Sequence, residues 1–551
     1  MKKMYKLPAL LLSIMMVVFA FTACAGSNGN SSTTDSSKQN SSNSGNNSSA
    51  AQSPVSEGSK EDAPSGDRVT LRVSVYDRGT TTAEFGSVSD NKYTKWIQEN
   101  FGDPNNIDVE FVPLPRTDSD VTINTWMASQ SAPDIILTYD LNLYQDFALQ
   151  GGLAELDDAI ANNAPNMNKL FGPELLDYGK IDGVQYSIWA KRAALDITGN
   201  FIRKDWMDKA GLELRTDADG LYTMSIEELE EALAAFRDND FDGTGQDIFA
   251  MAMSGSEHQY RSVRGIVDAF LNKAEITDEI YKAYERVSWP GHKDAVRWLN
   301  KQFNDGMMDT DYGTTNDTAR KAEAITTGRS GFWSDDSWFQ VFNGQALDAL
   351  HENNPDAEVV AFRLENVHGE MIQEAYDPTA VMIMIPSFSE RVNEAVMYLD
   401  FLCDVENDRV LRYGFEGENY TMKDGIPTDM VVDYINLSDY ALMYNGDPDK
   451  SINDYTVISQ LSEFVQPIRQ ATLTLGAEGA LAKYNFPVPI TAASKYNTDL
   501  TSKRGELYVN SIMASPEDFD TVYDKYYDEY LSIGGQQVID EKLAVLNGKQ
   551  Q

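Results

Sequence analysis

A chain of 551 residues that is 42 % hydrophobic and 11 % aromatic holds enough apolar side chain for a large core, and its length suggests two or more lobes. A formal net charge of −41 argues against nucleic acid as a partner, because phosphate binding needs clustered Lys and Arg rather than an excess of acids. In chain order, Lys2, Lys3 and Lys6 precede an apolar run from Leu7 to Phe21 broken only by Ser13, and the small residues Thr22 and Ala23 lead to Cys24. This predicts a secretion signal over residues 1–23, too short to span roughly 30 Å of hydrocarbon. From Cys24 to Asp67 most residues are Ser, Asn, Gly, Thr, Asp or Lys, with no aromatic and almost no aliphatic side chain, a composition that cannot bury enough surface to fold. Residues 24–67 are therefore expected to form a disordered tether spanning roughly 35 Å.

Phe21-Thr22-Ala23-Cys24 resembles the lipobox of bacterial lipoproteins, which implies cleavage before Cys24 and a diacylglyceryl group on its thiol. Two acyl chains give the stable anchoring that one does not. The alternative is an ordinary signal followed by a chance cysteine. With Cys24 assigned to lipid, Cys403 has no partner for an intramolecular disulfide, and its apolar run Tyr398-Leu-Asp-Phe-Leu-Cys403 predicts a buried small hydrophobe.

Order is predicted to begin at Val69–Tyr76, whose alternation reads as a strand. An amphipathic segment around 92–101 and a second alternating strand, Ile107–Pro113, complete a β-α-β start. A helical stretch around 120–130 leads to Pro133–Tyr139, a short apolar run of the kind found in parallel strands buried on both faces. Ligands bind beyond the carboxyl ends of such strands, which makes Tyr76-Asp77-Arg78 and Tyr139-Asp140 the first cleft candidates.

Gly151–Asp158, Ile181-Asp-Gly-Val-Gln-Tyr186 and Ile202-Arg-Lys-Asp-Trp206-Met-Asp-Lys-Ala-Gly211-Leu resemble the extracellular solute-binding proteins of ABC transporters, in particular the oligosaccharide-binding type. Gly328–Trp333, Ile385-Pro386 and Tyr413-Gly-Phe-Glu-Gly-Glu-Asn-Tyr420 extend the likeness over about residues 69–547. The resemblance implies an α/β, two-lobed, periplasmic-binding-protein-like fold with a hinge between the lobes. Residues 68–195 with 378–430 are expected to form the N-lobe, and 196–377 with 431–547 the C-lobe. It also implies a monomeric, lipid-anchored receptor on the extracellular face of the cell membrane, in a Gram-positive cell, delivering a saccharide to ABC permease subunits.

Asp238, Asp240 and Asp242 with Gly243 place carboxylates at positions one, three and five of a loop with glycine at six, spacing that wraps oxygens around a hard cation such as Ca²⁺. Thr244 would add its backbone carbonyl, Asp247 is the candidate bidentate ligand, and Gln246 stands at position nine. The twelfth position is Phe249, so the EF-hand pattern is incomplete. The alternative is an Asx-rich turn without metal. Sugars are read by aromatic faces together with planar polar groups, and Tyr76, Tyr139, Asp140, Trp189, Trp333, Asp335, Asp336, Trp338 and Tyr376 are the candidates. Within that set the Trp333–Trp338 cluster, read as a polar aromatic loop, is the strongest. Trp206, opening a helix, is expected in the core. His258, His292, His351 and His368 are scattered, and no nucleophile, phosphate-loop or zinc motif occurs. No enzyme is therefore expected; the alternatives are a secreted glycosidase, which needs only two well-placed carboxylates, or a receptor for peptide or another solute.

Overall fold

The computed structural model describes residues 67–192, 198–243, 245, 247–255, 259–314, 317–336, 345–375, 379–423, 426–428, 437–445 and 461–548. The signal, Cys24 and nearly all of the expected tether lie outside this set.

Strand β1 (Val69–Asp77) pairs in parallel with β2 (Ile107–Pro115), in register from Val69↔Ile107 to Asp77↔Pro115. Its alternation points Leu71, Val73 and Val75 inward, all at 1 % exposure or less. Backbone bonds between Ser74 and Ile135 (2.9 Å) and between Ile135 and Arg72 (3.1 Å) lay the approach to β3 (Ile136–Thr138) on the other side of β1. β3 then pairs antiparallel with Thr379–Met384, which pairs antiparallel with Ser187–Arg192. Burial of β3 and of Thr379–Met384 on both faces explains their continuous apolar sequences.

Around this sheet lies a first hydrophobic core, built from segments between Leu71 and Ala190 and between Ala380 and Met443. Cys403, 5 % exposed, packs within it as expected, and burial raises its thiol pKa well above the ordinary value. Leu437, Tyr440 and Met443 also belong to this core, although the expected boundary at 430 assigned them to the other lobe.

A second sheet of six strands runs in the order Phe249–Met251, Ser330–Asp336, Thr198–Arg203, Val359–Leu364, Tyr222–Met224, Arg215–Thr216. Its core gathers residues from Ile202 to Ile372 and from Phe486 to Val538. Helix Ile226–Asp238 shows how the sequence builds this lobe. Ser225 and Glu228 form a capping box, and Ile226, Leu229, Leu233 and Phe236 recur at helical spacing to bury one face. Trp206 is fully buried, its ring edge-on to Phe236 at 5.5 Å, in the core role expected for it.

Two cores, each with its own sheet, make a two-lobed α/β molecule. A buried bond from the Gln145 side chain to the Phe486 carbonyl (2.6 Å) ties one core to the other. Among the described residues no helix is long and apolar enough to cross a membrane.

Candidate functional site

The carboxyl ends of β1, β2 and β3 bring together Tyr76, Arg78, Arg116 and Tyr139. The rings of Tyr76 and Tyr139 stack with centroids 5.9 Å apart and planes 11° from parallel. Arg116, one residue beyond β2, places its guanidinium 4.9 Å from one centroid and 5.0 Å from the other. Its position is fixed by the backbone N–H, which donates to the Asp77 carbonyl at 3.0 Å. Arg78 lies 5.5 Å from the Tyr76 centroid and donates two 2.8 Å bonds to Asp439. Burial raises the Asp439 pKa, and Arg78 opposes that rise. No carboxylate among the described residues lies within ion-pair distance of Arg116. Tyr76 is buried, with a hydroxyl that finds no partner among the described residues, whereas Tyr139 is 46 % exposed. The result is an aromatic shelf with one open ring and a half-exposed guanidinium, suited to stacking on a sugar ring and to binding an anionic or polar substituent.

Asp140 follows directly but has a structural task. Its Oδ1 caps helix Leu141–Leu149 by accepting from the N–H groups of Asn142 (2.9 Å) and Leu143 (3.2 Å). Leu141, Asn142 and Gln145 of this helix line a cavity of about 540 Å³ whose remaining walls come from the second lobe. Tyr281, Tyr284, Trp289, Tyr484, Phe486 and Tyr508 supply much of its aromatic surface.

The tryptophans are placed otherwise than expected. Trp189 sits in strand Ser187–Arg192, which lies between Thr379–Met384 and Tyr444–Asn445; it is 7 % exposed, with its indole N–H donating to Ser187 Oγ at 2.7 Å and its ring edge-on to Tyr144. Trp333 is fully buried, stacked on Phe201 at 5.8 Å within a third small cluster. Both are corrected from ligand contacts to core residues. Ser330–Asp336, expected to enter a loop at Trp333, is a strand with neighbours on both sides, so its rings are closed in between layers. Asp335 is ion-paired with Lys321 at 2.7 Å. Asp336 ends the strand opposite Thr198, and its side chain, like Trp338 and Tyr376 altogether, lies outside what is described.

The acidic loop has a turn that suits cation wrapping. Gly243 and Gly245 take φ of +64° and +65°, and the Gly245 N–H donates to Asp240 Oδ2 at 2.7 Å. The other carboxylates do not converge on a centre as placed. Asp238 pairs with Arg237 through both oxygens (2.7 and 3.0 Å). Asp242 accepts from Arg203 (2.9 Å), Trp206 (3.1 Å) and Lys209 (3.0 Å). Burial alone would raise the Asp242 pKa, but Arg203, with Lys209 and Trp206, pulls it below the ordinary value. Asp247 is exposed, and Thr244 and Gln246 lie outside the described residues. Among the described residues no three acidic, His or Cys side chains are grouped to hold a metal ion.

Arg116, Asp439 and the charged cavity were missed in the sequence. Arg116 carried a signal of position, immediately after the second strand at the end where ligands bind.

No protein-family model matches the chain. It is 24 % identical over 266 residues to lipoprotein LipO of Bacillus subtilis, covering 47 % of this chain and 50 % of that protein. It is 25 % identical over 256 residues to the polygalacturonan/rhamnogalacturonan-binding protein YtcQ of the same organism, covering 45 % and 46 %. The matches thus span about half the length of these curated relatives. Among solved structures it is similar to an extracellular solute-binding protein from Bifidobacterium longum subsp. infantis, with a TM-score of 0.62, 16 % identity and coverage of 88 % and 99 %. It is likewise similar to the alginate-binding protein AlgQ2 solved without calcium ion, with a TM-score of 0.58, 16 % identity and coverage of 87 % and 98 %. The two lobes, their sheets and these structural likenesses give this chain the fold of the extracellular solute-binding proteins of ABC transporters.

Proposed function

We propose that this chain is the substrate receptor of an ABC importer and binds an oligosaccharide between its lobes. The observation that carries the reading is the cavity walled by residues of both cores and continuous in sequence with the Tyr76–Tyr139 shelf. A ligand touching both walls favours the closed arrangement by its differential affinity, which is the physical content of hinge closure. The names of relatives support a saccharide: one binds polygalacturonan and rhamnogalacturonan, another alginate. The chain acts as a monomeric receptor, not an enzyme, and hands its ligand to permease subunits encoded elsewhere.

In this reading residues 1–23 are removed, Cys24 carries the lipid, and the segment to Asp67 tethers the body to the outer face of a Gram-positive cell membrane. The lobes divide near 195 and 378, and the N-lobe extends to about 445 because 437–443 pack in its core. Ca²⁺ belongs to the proposal as a structural ion at loop 238–247. It would have to draw Asp238 from Arg237 and Asp242 from Arg203 and Lys209. A melting curve that is identical with calcium and with chelator removes the ion from the proposal.

The test of function is a thermal-shift screen against oligosaccharides and peptides, with recovery of the ligand afterwards. A ligand that binds only the folded form raises the melting temperature by mass action. A shift with an intact sugar is expected; a cleaved sugar would mean an enzyme, and a shift with peptides alone would mean a different receptor.

A further inference from the structure

The cavity has a charge opposite to that of the molecule. Arg264, Lys282, Arg286, Lys483, Arg504 and Lys542 line it, and Glu285 is the one acid: six bases among 28 lining residues, in a chain where acids outnumber bases by 86 to 45. Some of this charge is answered locally. Lys542 pairs with Glu285 at 3.0 Å, Lys282 with Asp278 at 2.8 Å, and Arg286 with Asp268. Lys483 and Arg504 have no carboxylate within ion-pair distance among the described residues. Their field is felt nonetheless: burial alone would raise the Glu285 pKa, yet Lys542, Lys483 and Arg504 hold it at about 2. Like charges repel, and among the described residues Lys483 and Arg504 face the cavity without the ion pairs that account for Lys542, Lys282 and Arg286. Arg116 repeats the pattern on the tyrosine shelf, beside the residues that lead into the cavity wall.

We propose that the ligand is an acidic oligosaccharide, whose carboxylate or sulfate groups sit on Arg504, Lys483 and Arg116 while its rings lie against the tyrosines. This rests on the saccharide-receptor reading and narrows it to a class of ligand. A planar guanidinium matches a carboxylate or sulfate with paired hydrogen bonds, and the half-buried setting of Arg504 and Arg116 strengthens that attraction over what water allows.

The experiment is titration calorimetry of the purified protein with an oligogalacturonate, the same oligomer with its carboxyls reduced to alcohols, a sulfated oligosaccharide, and a panel of neutral oligosaccharides. Binding of an acidic oligomer at least tenfold tighter than its reduced form supports the proposal, and the uronate and sulfate arms identify the charged group. In an Arg504→Gln, Lys483→Gln double variant that advantage is expected to fall at least tenfold with the melting temperature of the unliganded protein unchanged. If the double variant melts early, Arg116→Gln carries the same test from the tyrosine shelf. Equal affinity for the reduced oligomer, or tight binding of a neutral one alone, overturns the acidic ligand and leaves the saccharide receptor standing. Binding of no saccharide overturns both.

Discussion

Two pairs of aromatic residues, all read from sequence as sugar contacts, differ in what the fold leaves open beside them. Tyr76 and Tyr139 stack at the ends of strands, with one ring open and a guanidinium over both. Trp189 and Trp333 lie inside strands, where sheets and helices close over them. Residue type is the same kind of evidence in both places; position in the fold decides which ring stays open, and only Tyr139 of the four does.

The sharpest way to break this comparison is Trp333→Ala. If the ring is core, the substitution costs about 3–5 kcal/mol of stability, read from denaturant unfolding. A variant that unfolds like wild type but has lost sugar affinity would return Trp333 to the cleft. Next in size is Asp242→Ala, which leaves the 1 % exposed Arg203 with Asp205 as its remaining acid. A loss of about 3 kcal/mol is expected from weakening a buried pair, and unchanged unfolding would show the pair to be idle.

A smaller effect tests the second lobe by pH. Burial, with Arg286 and Arg504 nearby, lowers the His292 pKa to about 3 from 6.5, and its two nitrogens meet the hydroxyls of Tyr523 (2.8 Å) and Tyr508 (2.7 Å). Between those values the unfolded chain takes a proton that the folded chain refuses, so stability is full above pH 6.5 and falls as pH drops. One such group contributes about 1.4 kcal/mol per pH unit. His292→Gln should flatten the decline in melting temperature between pH 6.5 and 5; an equal slope in the variant would assign it to other groups. The smallest effect is Tyr139→Ala, expected to weaken saccharide binding by about 1 kcal/mol with little change in melting, since the ring is half exposed. Unchanged affinity would take the shelf out of the site.

Much of the first lobe was legible because alternation such as Leu71, Val73, Val75 has one physical cause, burial of one strand face. Helix Ile226–Asp238 obeys the same logic in the structure, with a Ser225–Glu228 capping box and one apolar face at helical spacing. Trp333 was misread because Trp-Ser-Asp-Asp describes a polar loop as readily as the end of a strand whose aromatic face is covered. The cavity left no local trace at all. Its cations come from separate segments between Arg264 and Lys542, and only the folded chain brings them together.

Arg203 and Lys209 together set two positive charges against Asp205 and Asp242, the charge of one divalent ion, carried by the chain itself. The charges of this corner therefore balance without a metal ion, and the lobe has no electrostatic need of one to fold. Refolding in chelator should reach the native state; failure to do so would make the ion a requirement for assembly rather than a later addition.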